Sequence, residues 1–552
     1  MSELAQARIQ ATTLADLLLT AADQYPDTDA VVLPYRRKTY AEVRDGAMRR
    51  ARSLRALGVG PGDHVGILLP TSIDFVESLF AISMVGAVAV SVNARYKPME
   101  LAYVVENADL VALLTTDKIA EAVNFVERLR DAFPDLGKPQ DALDLRLMNA
   151  PKLRSIVLYG TSDQPGFIAQ DRFDGLHEQV DEDEVHLRRL QTLVGSYALM
   201  LYTSGTTANP KGCLLTHEAI VRNSIALADR YELTAEDSFW SPLPMFHIAA
   251  ILPLVAIFAK GGTYATMLHF DGGEALKMIE AERVTATYPC FWAIMGDLIN
   301  HPNFASTDLS SIKMMNANFA VQPPAVAERM EAAMPNTIYV GTFGMTETAG
   351  TVTTSRLNDT REQRFERLGV PLPGLEIKAV DPDSGDEVPT GEKGEALIRG
   401  YSVFTKYYKS PEKSREALAD GWFHSGDLVS IDADGQVMFH GRIKDMLKVG
   451  GENVAAAEIE ACLQQHPAVK LAQVVAAPDP RLQEVAAAFI ELQDGESADP
   501  NALIDFCKAR IAGFKVPRYV RFIDEWPTSS TKIQKFKLKD QIEAELAQEA
   551  AS

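Results

Sequence analysis

Two hydrophobic patterns alternate over the first 120 residues. Residues 39–59 read TYAEVRDGAMRRARSLRALGV, an amphipathic helical pattern, and the turn GPGD then leads into the apolar run HVGILLP. Helix, turn and strand repeated in this order predict a parallel α/β sheet. Residues 117–193 are richer in charge and proline, which predicts surface helices and a connection.

From Ser196 onwards, apolar runs meet small or polar residues where they end. The runs are YALMLYTSG, ATMLHF, ATYPC and IYVGTFG, and each meets Gly, Ser, Thr or Pro at or just past its end. Ligand crevices of open α/β sheets lie at the carboxyl ends of the strands. This stretch therefore predicts a large nucleotide-type domain.

The pattern changes twice after Gly374. Short strands and turns predict a small β-rich subdomain, and from about Met446 a compact α+β module of about 100 residues follows. The polar, glycine-bearing junction GRIKDMLKVGGEN suits a hinge. We predict an α/β large N-terminal domain with parallel sheets and a small β-rich subdomain (1–441), plus a small mobile α+β C-terminal domain (442–552).

Composition narrows the function. The chain has 54 basic and 75 acidic residues, a net charge of −21, which argues against a nucleic-acid partner because phosphate binding needs a basic face. The four cysteines form no close pair, so we expect free thiols in a reducing compartment. There is no secretory signal pattern, and the apolar runs are shorter than the roughly 20 residues of a membrane span. The sequence predicts a cytoplasmic protein without a transmembrane segment.

The segment YTSGTTANPKG, residues 202–212, has the chemistry of a phosphate-holding loop. Small residues let backbone N–H groups approach an anion, hydroxyl groups add donors and a lysine adds positive charge. It is not a Walker loop, because Pro210 rather than glycine precedes the lysine. The candidate nucleotide-binding residues here are Thr203, Ser204, Gly205, Thr206, Thr207 and Lys211.

This loop resembles the nucleotide-phosphate signature of the adenylate-forming (ANL) superfamily, in the branch of acyl-CoA synthetases and fatty-acid–CoA ligases. The resemblance covers nearly the whole chain. Early blocks such as TYAEV, GVGPGDHVGILLP, MVGAVAVSVNARY and ELAYVVENAD also resemble those of the family. It implies ATP, Mg²⁺ and coenzyme A as co-substrates and cofactor.

The segment TFGMTETAG, residues 342–350, sets a hydroxyl beside a carboxylate. Such a pair suits Mg²⁺ held against a phosphate. By resemblance, Glu347 helps to bind magnesium and Thr346 contacts the α-phosphate, while Gly344 and Met345 belong to the nucleotide site.

A third block, residues 421–454, contains an aspartate that can accept two hydrogen bonds from a diol. Asp427 is therefore the candidate ribose ligand, and the family match agrees. By resemblance, Arg442 lies near ribose and phosphate, and Lys444 is the pivot of the C-terminal domain. The resemblance also implies a pantetheine tunnel formed by Lys448, Gly450 and Gly451, with Asn453 beside them.

Near the end of the chain, Lys532 in PTSSTKIQKFKLK aligns with the mobile catalytic lysine of the family. Its ammonium can bridge the attacking carboxylate and the α-phosphate. The family usually has glycine before this lysine, whereas Thr531 stands here.

Two segments provide information about the carboxylic acid that the resemblance implies as substrate. His247, in SPLPMFHIAAI, matches the gate between nucleotide and acyl pockets and is a candidate catalytic residue; the segment lacks the aspartate that pairs an α-ammonium group. Asn316, Asn318 and Phe319 depart from a glycine- and alanine-rich family turn. They indicate either a polar or shorter acyl site or another way to close the loop.

The predicted enzyme is an acid–thiol ligase that forms an acyl-adenylate and then an acyl-CoA thioester, releasing pyrophosphate and AMP. We expect a fatty, aromatic or alicyclic acid as its small-molecule partner, and a homodimer is left open. The alternatives are a carnitine- or betaine-type acid, a carrier-protein thiol or oxygen in place of CoA, and a non-catalytic nucleotide-binding relative.

Overall fold

The computed structural model describes residues 12–118, 123–138, 140–203, 210–321, 324–449, 452–479, 481–529 and 532–551. The helices are α1 (Leu14–Gln24), α2 (Tyr40–Ala56), α3 (Ile73–Met84), α4 (Pro98–Asn107), α5 (Phe125–Ala132), α6 (Gln170–Gly175), α7 (Glu182–Gln191), α8 (His217–Arg230), α9 (Ile248–Phe258), α10 (Gly272–Ala281), α11 (Trp292–Asn300), α12 (Pro324–Ala333), α13 (Arg361–Glu366), α14 (Pro411–Ala417), α15 (Ala456–Leu463), α16 (Pro500–Lys508) and α17 (Lys535–Ala551).

The strands are given in two groups. Those up to residue 371 are β1 (Asp29–Leu33), β2 (Arg36–Thr39), β3 (His64–Ile67), β4 (Val88–Ser91), β5 (Leu110–Thr116), β6 (Ser155–Tyr159), β7 (Ile168–Ala169), β8 (Tyr197–Thr203), β9 (Lys211–Thr216), β10 (Ser238–Trp240), β11 (Thr263–Ala265), β12 (Ala286–Thr287), β13 (Met314–Asn316), β14 (Ile338–Val340), β15 (Thr342–Met345), β16 (Gly350–Thr354) and β17 (Val370–Pro371). The later ones are β18 (Leu375–Val380), β19 (Gly394–Gly400), β20 (Lys406–Tyr407), β21 (Leu418–Ala419), β22 (Trp422–Ile431), β23 (Val437–Arg442), β24 (Met446–Val449), β25 (Glu452–Ala455), β26 (Val469–Asp479), β27 (Gln483–Leu492), β28 (Tyr519–Phe522), β29 (Thr528–Ser529) and β30 (Lys532–Ile533).

Two large sheets form the N-terminal region. One has the order β20-β9-β8-β4-β3-β5-β6-β7 and is parallel from β8 to β7; the other has the order β14-β13-β12-β10-β11-β1-β2 and is parallel except at β2. The predicted helix at 39–59 is α2, whose Thr39 and Glu42 form a capping box. The α/β class with parallel sheets is confirmed.

The segment 117–193 differs from its prediction. It contains α5, α6 and α7, but also β6 and β7, which extend the first sheet in parallel. The five residues of β6, SIVLY, are all buried. A short apolar strand between charged stretches was hidden by the average polarity of the segment.

Smaller sheets form the β-rich subdomain and the C-terminal module. β18, β19, β22, β21 and β23 form an antiparallel sheet, which is the predicted β-rich subdomain. In the C-terminal module β25, β24, β27 and β26 form an antiparallel sheet, with β28 parallel to β27, and helices on the sheet complete the predicted α+β unit. The mobility of this module and its boundary at 441/442 stay predictions.

The hydrophobic core follows these sheets. One large cluster spans both N-terminal sheets, a second covers the other face of the first sheet, and two smaller clusters lie on the two faces of the C-terminal sheet. None of the described helices is long and apolar enough to cross a membrane.

Candidate functional site

The predicted phosphate loop connects two antiparallel strands. β8 ends at Thr203 and β9 begins at Lys211, and these two residues are cross-strand partners. The hairpin therefore fixes Lys211 opposite Thr203 at the end of the sheet. Ser204, Gly205, Thr206 and Thr207 lie outside the described residues.

Lys211 and Glu347 both contact Tyr407, Lys211 at the face of its ring and Glu347 at its hydroxyl. The Lys211 ammonium lies 4.6 Å from the centroid of the Tyr407 ring, a cation–π contact. The Tyr407 hydroxyl donates a 2.8 Å hydrogen bond to Oε1 of Glu347. The structure thus brings together two predicted residues from separate motifs, joined by a residue that the sequence analysis did not single out.

Burial and charge shift the pKa values of this cluster. Burial lowers the pKa of Lys211, and the nearby Lys413 lowers it further, while Glu347 opposes the shift. Burial also raises the pKa of the Tyr407 phenol, and the charge of Glu347 adds to the increase. Tyr407 is therefore a neutral donor to Glu347 at physiological pH.

A short hairpin presents Glu347. β15 and β16 are antiparallel, and Thr346–Thr348 form a single 3₁₀ turn between them. A Cβ atom on Gly344 would lie 1.8 Å from the backbone oxygen of Gly350, so the close approach of the two strands requires glycine. Met345 precedes the turn, and its backbone N–H donates to the Thr348 hydroxyl over 3.1 Å.

Asp427 and Arg442 are paired across β22 and β23. They are cross-strand partners, and Nε of Arg442 lies 2.9 Å from Oδ1 of Asp427, which is 3% exposed. Glu395 of β19 contacts the part of β22 just before Asp427, where the register with β19 shifts: it accepts a 3.0 Å hydrogen bond from the Gly426 N–H and contacts Nδ1 of His424 at 3.1 Å. Gly426 has a left-handed backbone with φ 69°.

The hinge and the C-terminal residues are only partly described. Lys444 is exposed in the 3₁₀ turn Ile443–Asp445, between β23 and β24. The backbones of Lys448 and Lys532 lie in β24 and β30, but their side chains are outside the described part. Gly450, Gly451 and Thr531 are also outside it, so the tunnel and the role of Lys532 stay predictions.

His247, the residue of the predicted gate, immediately precedes helix α9. Its ring is tilted against Phe246 with centroids 4.7 Å apart. Phe246 also lines a cavity of about 320 Å³ between the two large sheets, bordered by loops that follow β3, β4, β10 and β11. Most of its walls are apolar, with Arg95 and His269 among the polar groups. The residue next to His247 therefore borders a cavity, while a gate function of His247 itself stays a prediction.

The two unusual asparagines bind protein groups. Asn316 is fully buried; its Nδ2 donates to the Tyr231 hydroxyl over 2.8 Å, and its Oδ1 accepts from Cys290 Sγ at 3.5 Å. Oδ1 of Asn318 accepts a 2.5 Å hydrogen bond from the backbone N–H of Thr342, and Asn318 has φ 51°. Of the two readings left open, these contacts favour closure of the loop.

Phe319, the third departure from the family turn, packs into an aromatic cluster. Its ring centroid lies 4.9 Å from that of Tyr339 and 4.8 Å from that of Phe365. It is thus part of the structural support behind this turn.

The residues present fit a magnesium ion. Among the described residues, Tyr407 is the one hydrogen-bond donor to the Glu347 carboxylate, so oxygen remains available to a cation. Within the same part of the chain no group of three or more metal-ligating side chains occurs. Mg²⁺ commonly binds through one or two carboxylates together with substrate phosphates.

Sequence reasoning missed Tyr407 and Glu395. Tyr407 lies in a two-residue strand, 60 positions after Glu347. The one available signal was the pair of tyrosines in KYYKSPEK, since a polar segment seldom needs two large aromatic residues.

Two family matches cover most of the chain. Residues 18–408 match the family described as AMP-binding enzyme, and residues 458–532 match the AMP-binding enzyme C-terminal domain. The chain is 36% identical to YngI of Bacillus subtilis (strain 168) over 534 residues, 96% of this chain and 97% of that protein.

Other relatives differ in what they act on. A mitochondrial medium-chain acyl-CoA ligase, ACSF2 of Danio rerio, is 31% identical over 98% of this chain and 89% of its own length. A feruloyl-CoA synthase of Amycolatopsis sp is 33% identical over 89% of this chain and 91% of its own length. The crystal structure of the anthranilate CoA ligase AuaEII with anthranoyl-AMP superposes with a TM-score of 0.84 at 26% identity, covering 99% of this chain and 100% of that one.

Proposed function

The chain belongs to the AMP-binding enzyme family and is an AMP-forming acid–CoA ligase, and from this premise we propose how its residues act and on which acid. In the first half-reaction a carboxylate oxygen attacks the α-phosphate of ATP, giving an acyl-adenylate and pyrophosphate. In the second, the CoA thiol attacks the mixed anhydride and AMP leaves.

One observation carries the proposal: Lys211 and Glu347 both contact Tyr407, and Arg442, the partner of Asp427, lies near the same tyrosine. Arg442 is close enough to oppose the raised pKa of Tyr407. An ammonium that suits phosphate, a carboxylate that suits a cation and a carboxylate that suits ribose thus lie in one neighbourhood. A magnesium-bound nucleotide needs groups of these three kinds.

Glu347 would hold Mg²⁺ together with the substrate phosphates, and the ion would neutralise charge on those phosphates. Thr346, in the same turn, would donate to the α-phosphate. Thr203 to Thr207, with Gly344 and Met345, would contact the nucleotide. Catalysis in this half is positioning and electrostatic stabilisation.

The second half-reaction needs a different set of residues. We assign residues 1–441 to the adenylation domain and 442–552 to a domain that rotates about Lys444, an exposed residue in a single turn. Rotation would withdraw Lys532 and bring Lys448, Gly450 and Gly451 to the site. Glycines leave room for a narrow pantetheine arm because they carry no side chain.

For the acid we favour a hydrophobic fatty, aromatic or alicyclic body. The amide groups of Asn316 and the carbonyl of Asn318 already bind protein groups, so they offer little to a polar substrate. The relatives' names cover both aliphatic and aromatic acids. A carnitine- or betaine-type acid loses the support that these asparagines gave it. His247 would separate acid and nucleotide.

Mass spectrometry of products tests the function. The protein is incubated with ATP, Mg²⁺, CoA and a pooled panel of fatty, aromatic, alicyclic and betaine acids, with ATP or CoA omitted as controls. We expect one hydrophobic acid as its CoA thioester, together with AMP and pyrophosphate. Acyl-adenylate without thioester would instead favour a carrier-protein thiol, and a betaine thioester would overturn the substrate class.

Lys532→Ala tests the division between the two half-reactions. We expect loss of ATP–pyrophosphate exchange by at least about a hundredfold, while thioester formation from supplied acyl-adenylate is preserved. Lys537→Ala, an exposed lysine of the same tail, is the matched control. Equal loss in both half-reactions would contradict the rotation. A cytoplasmic location and a homodimer stay predictions.

A further inference from the structure

We propose that Tyr407 is a positioning residue of the adenylation site: it holds the Glu347 carboxylate for the metal ion and keeps the Lys211 ammonium apart from it. This inference rests on the proposed function, because it assigns Glu347 to Mg²⁺ and Lys211 to phosphate. Neither the motifs nor the relatives named above point to this residue.

The backbone around Tyr407 is tied to both partners. In β20, Tyr407 pairs with Cys213 of β9, the strand that Lys211 begins, and the next residue, Tyr408, donates its N–H to the Gly212 carbonyl over 2.7 Å. Three residues before Tyr407, the N–H of Phe404 donates to the backbone carbonyl of Glu347 over 2.7 Å. A single short segment is thus anchored to the phosphate-loop strand and to the metal-binding turn.

The side chain is fixed just as firmly. The residue is 7% exposed, and the Phe404 ring packs against its ring with centroids 4.6 Å apart. One face of the ring carries the Lys211 ammonium, and the hydroxyl points at Oε1 of Glu347. A rigid aromatic ring therefore sets the distance between the two charged groups.

That spacing has a chemical purpose. Lys211 and Glu347, both within the described residues, form no direct ion pair, although each has the other's charge in its surroundings. A direct pair would neutralise the carboxylate that the metal needs and the ammonium that the phosphate needs. Residues that do not touch the metal often orient its carboxylate ligands through hydrogen bonds. Losing such a bond commonly weakens metal binding about 10- to 100-fold.

The test measures metal affinity apart from turnover. Mn²⁺ binding to the complex of enzyme and α,β-methylene-ATP is followed by water proton relaxation, without acid or CoA. Tyr407→Phe keeps the ring and removes the hydroxyl, and we expect about tenfold weaker Mn²⁺ binding. Tyr407→Leu also removes the cation–π contact, so we expect weaker binding of the nucleotide analogue as well.

Tyr408→Phe is the matched control. Its hydroxyl also donates to a carboxylate, Oδ2 of Asp109, over 2.8 Å, but away from this cluster. We expect unchanged Mn²⁺ binding. In a Glu347→Ala background the Tyr407→Phe effect on Mn²⁺ should vanish, since no side-chain oxygen then remains at position 347 for Tyr407 to hold.

Equal Mn²⁺ affinity in wild type and Tyr407→Phe would overturn the proposal, as would an equal loss in Tyr408→Phe. If Tyr407→Phe does not fold, Tyr407→Gln is compared with Tyr407→Leu instead. Glutamine and leucine have similar size, but only glutamine carries a hydrogen-bond donor. Greater Mn²⁺ affinity of the Gln variant then supports the proposal, and equal affinity overturns it. If the wild type shows no ATP–pyrophosphate exchange with any acid, the proposed function fails while the Mn²⁺ comparison still decides the role of Tyr407.

Discussion

The hairpin of β15 and β16 and the hairpin of β22 and β23 each present one carboxylate to the site, but they treat its charge differently. Glu347 accepts a hydrogen bond from a neutral phenol, whereas Asp427 is paired with the guanidinium of Arg442. A carboxylate that keeps its full charge can attract a cation. One already paired with arginine can still accept hydrogen bonds from neutral ribose hydroxyls. The difference in partner teaches which ligand each carboxylate suits.

Removing the charge of Glu347 should have the largest effect. Glu347→Gln keeps the shape and the acceptor for Tyr407 but lowers cation affinity, so we expect about a thousandfold loss of ATP–pyrophosphate exchange at fixed Mg²⁺. The control is Glu412→Gln, at an exposed glutamate near Tyr407 in sequence. If Glu347→Gln retained ATP–pyrophosphate exchange within tenfold of wild type, the charge of Glu347 would not be needed, and the proposed difference between Glu347 and Asp427 would be wrong.

Displacing Glu347 without changing its chemistry should come next. The Cβ atom of Gly344→Ala would meet the Gly350 oxygen, so the hairpin must shift, at a cost of about 3 kcal/mol in the free energy of unfolding. We expect Mn²⁺ affinity to fall while the preference for ATP over 2′,3′-dideoxy-ATP persists, because Asp427 lies on another hairpin. Denaturant unfolding and binding assays measure both, and loss of the ribose preference would contradict the separation.

Changing Asp427 should produce a smaller, different loss. Asp427→Asn weakens the ribose contacts and leaves Arg442 without its ionic partner, which we expect to raise the KM for ATP about 30-fold, or roughly 2 kcal/mol. The discrimination between ATP and 2′,3′-dideoxy-ATP should shrink, with little change in Mg²⁺ requirement. Asp434→Asn, in the exposed turn of the same hairpin, serves as control. A changed Mg²⁺ requirement in Asp427→Asn would contradict the assignment of Asp427 to ribose.

Gly426→Ala should have the smallest effect. No atom lies within 4 Å of the added Cβ, so only the left-handed backbone is strained, at about 1 kcal/mol. We expect a slightly lower unfolding midpoint and a rise of a few-fold or less in the KM for ATP. A loss as large as that of Gly344→Ala would show that the backbone of β22 at Gly426 has no room to adjust.

The α/β class could be predicted because helix and strand patterns alternate along the chain. The motifs with Thr203 and Lys211, with Glu347 and with Asp427 are each continuous in sequence, so the sequence could single them out; the structure places them at the ends of two strands, in a turn and in a strand. Their roles toward a ligand stay predictions. The strands β6 and β7 were missed because a short apolar run gives little signal inside a charged segment.

Contacts between distant segments could not be predicted in this way. Pairing of β20 with β9 joins residues nearly 200 positions apart, and no periodicity in either segment specifies that partner. The hydrogen-bond partners of Asn316 and Asn318 were equally hidden, so a polar acyl pocket and a closed loop looked alike in sequence. Tertiary pairing supplied the missing information.

The edge position of β20 allows its surroundings to report ligand binding through hydrogen exchange. Hydrogen bonds at the edge of a sheet open more readily than central ones, so amide protons around β20 should exchange with solvent relatively fast. The amides of Phe404 and Tyr408, which flank β20, donate to the backbone carbonyls of Glu347 and Gly212 in the two motifs of the proposed nucleotide site. Slower deuterium uptake at these two positions would therefore register nucleotide binding at the site without any chemical turnover.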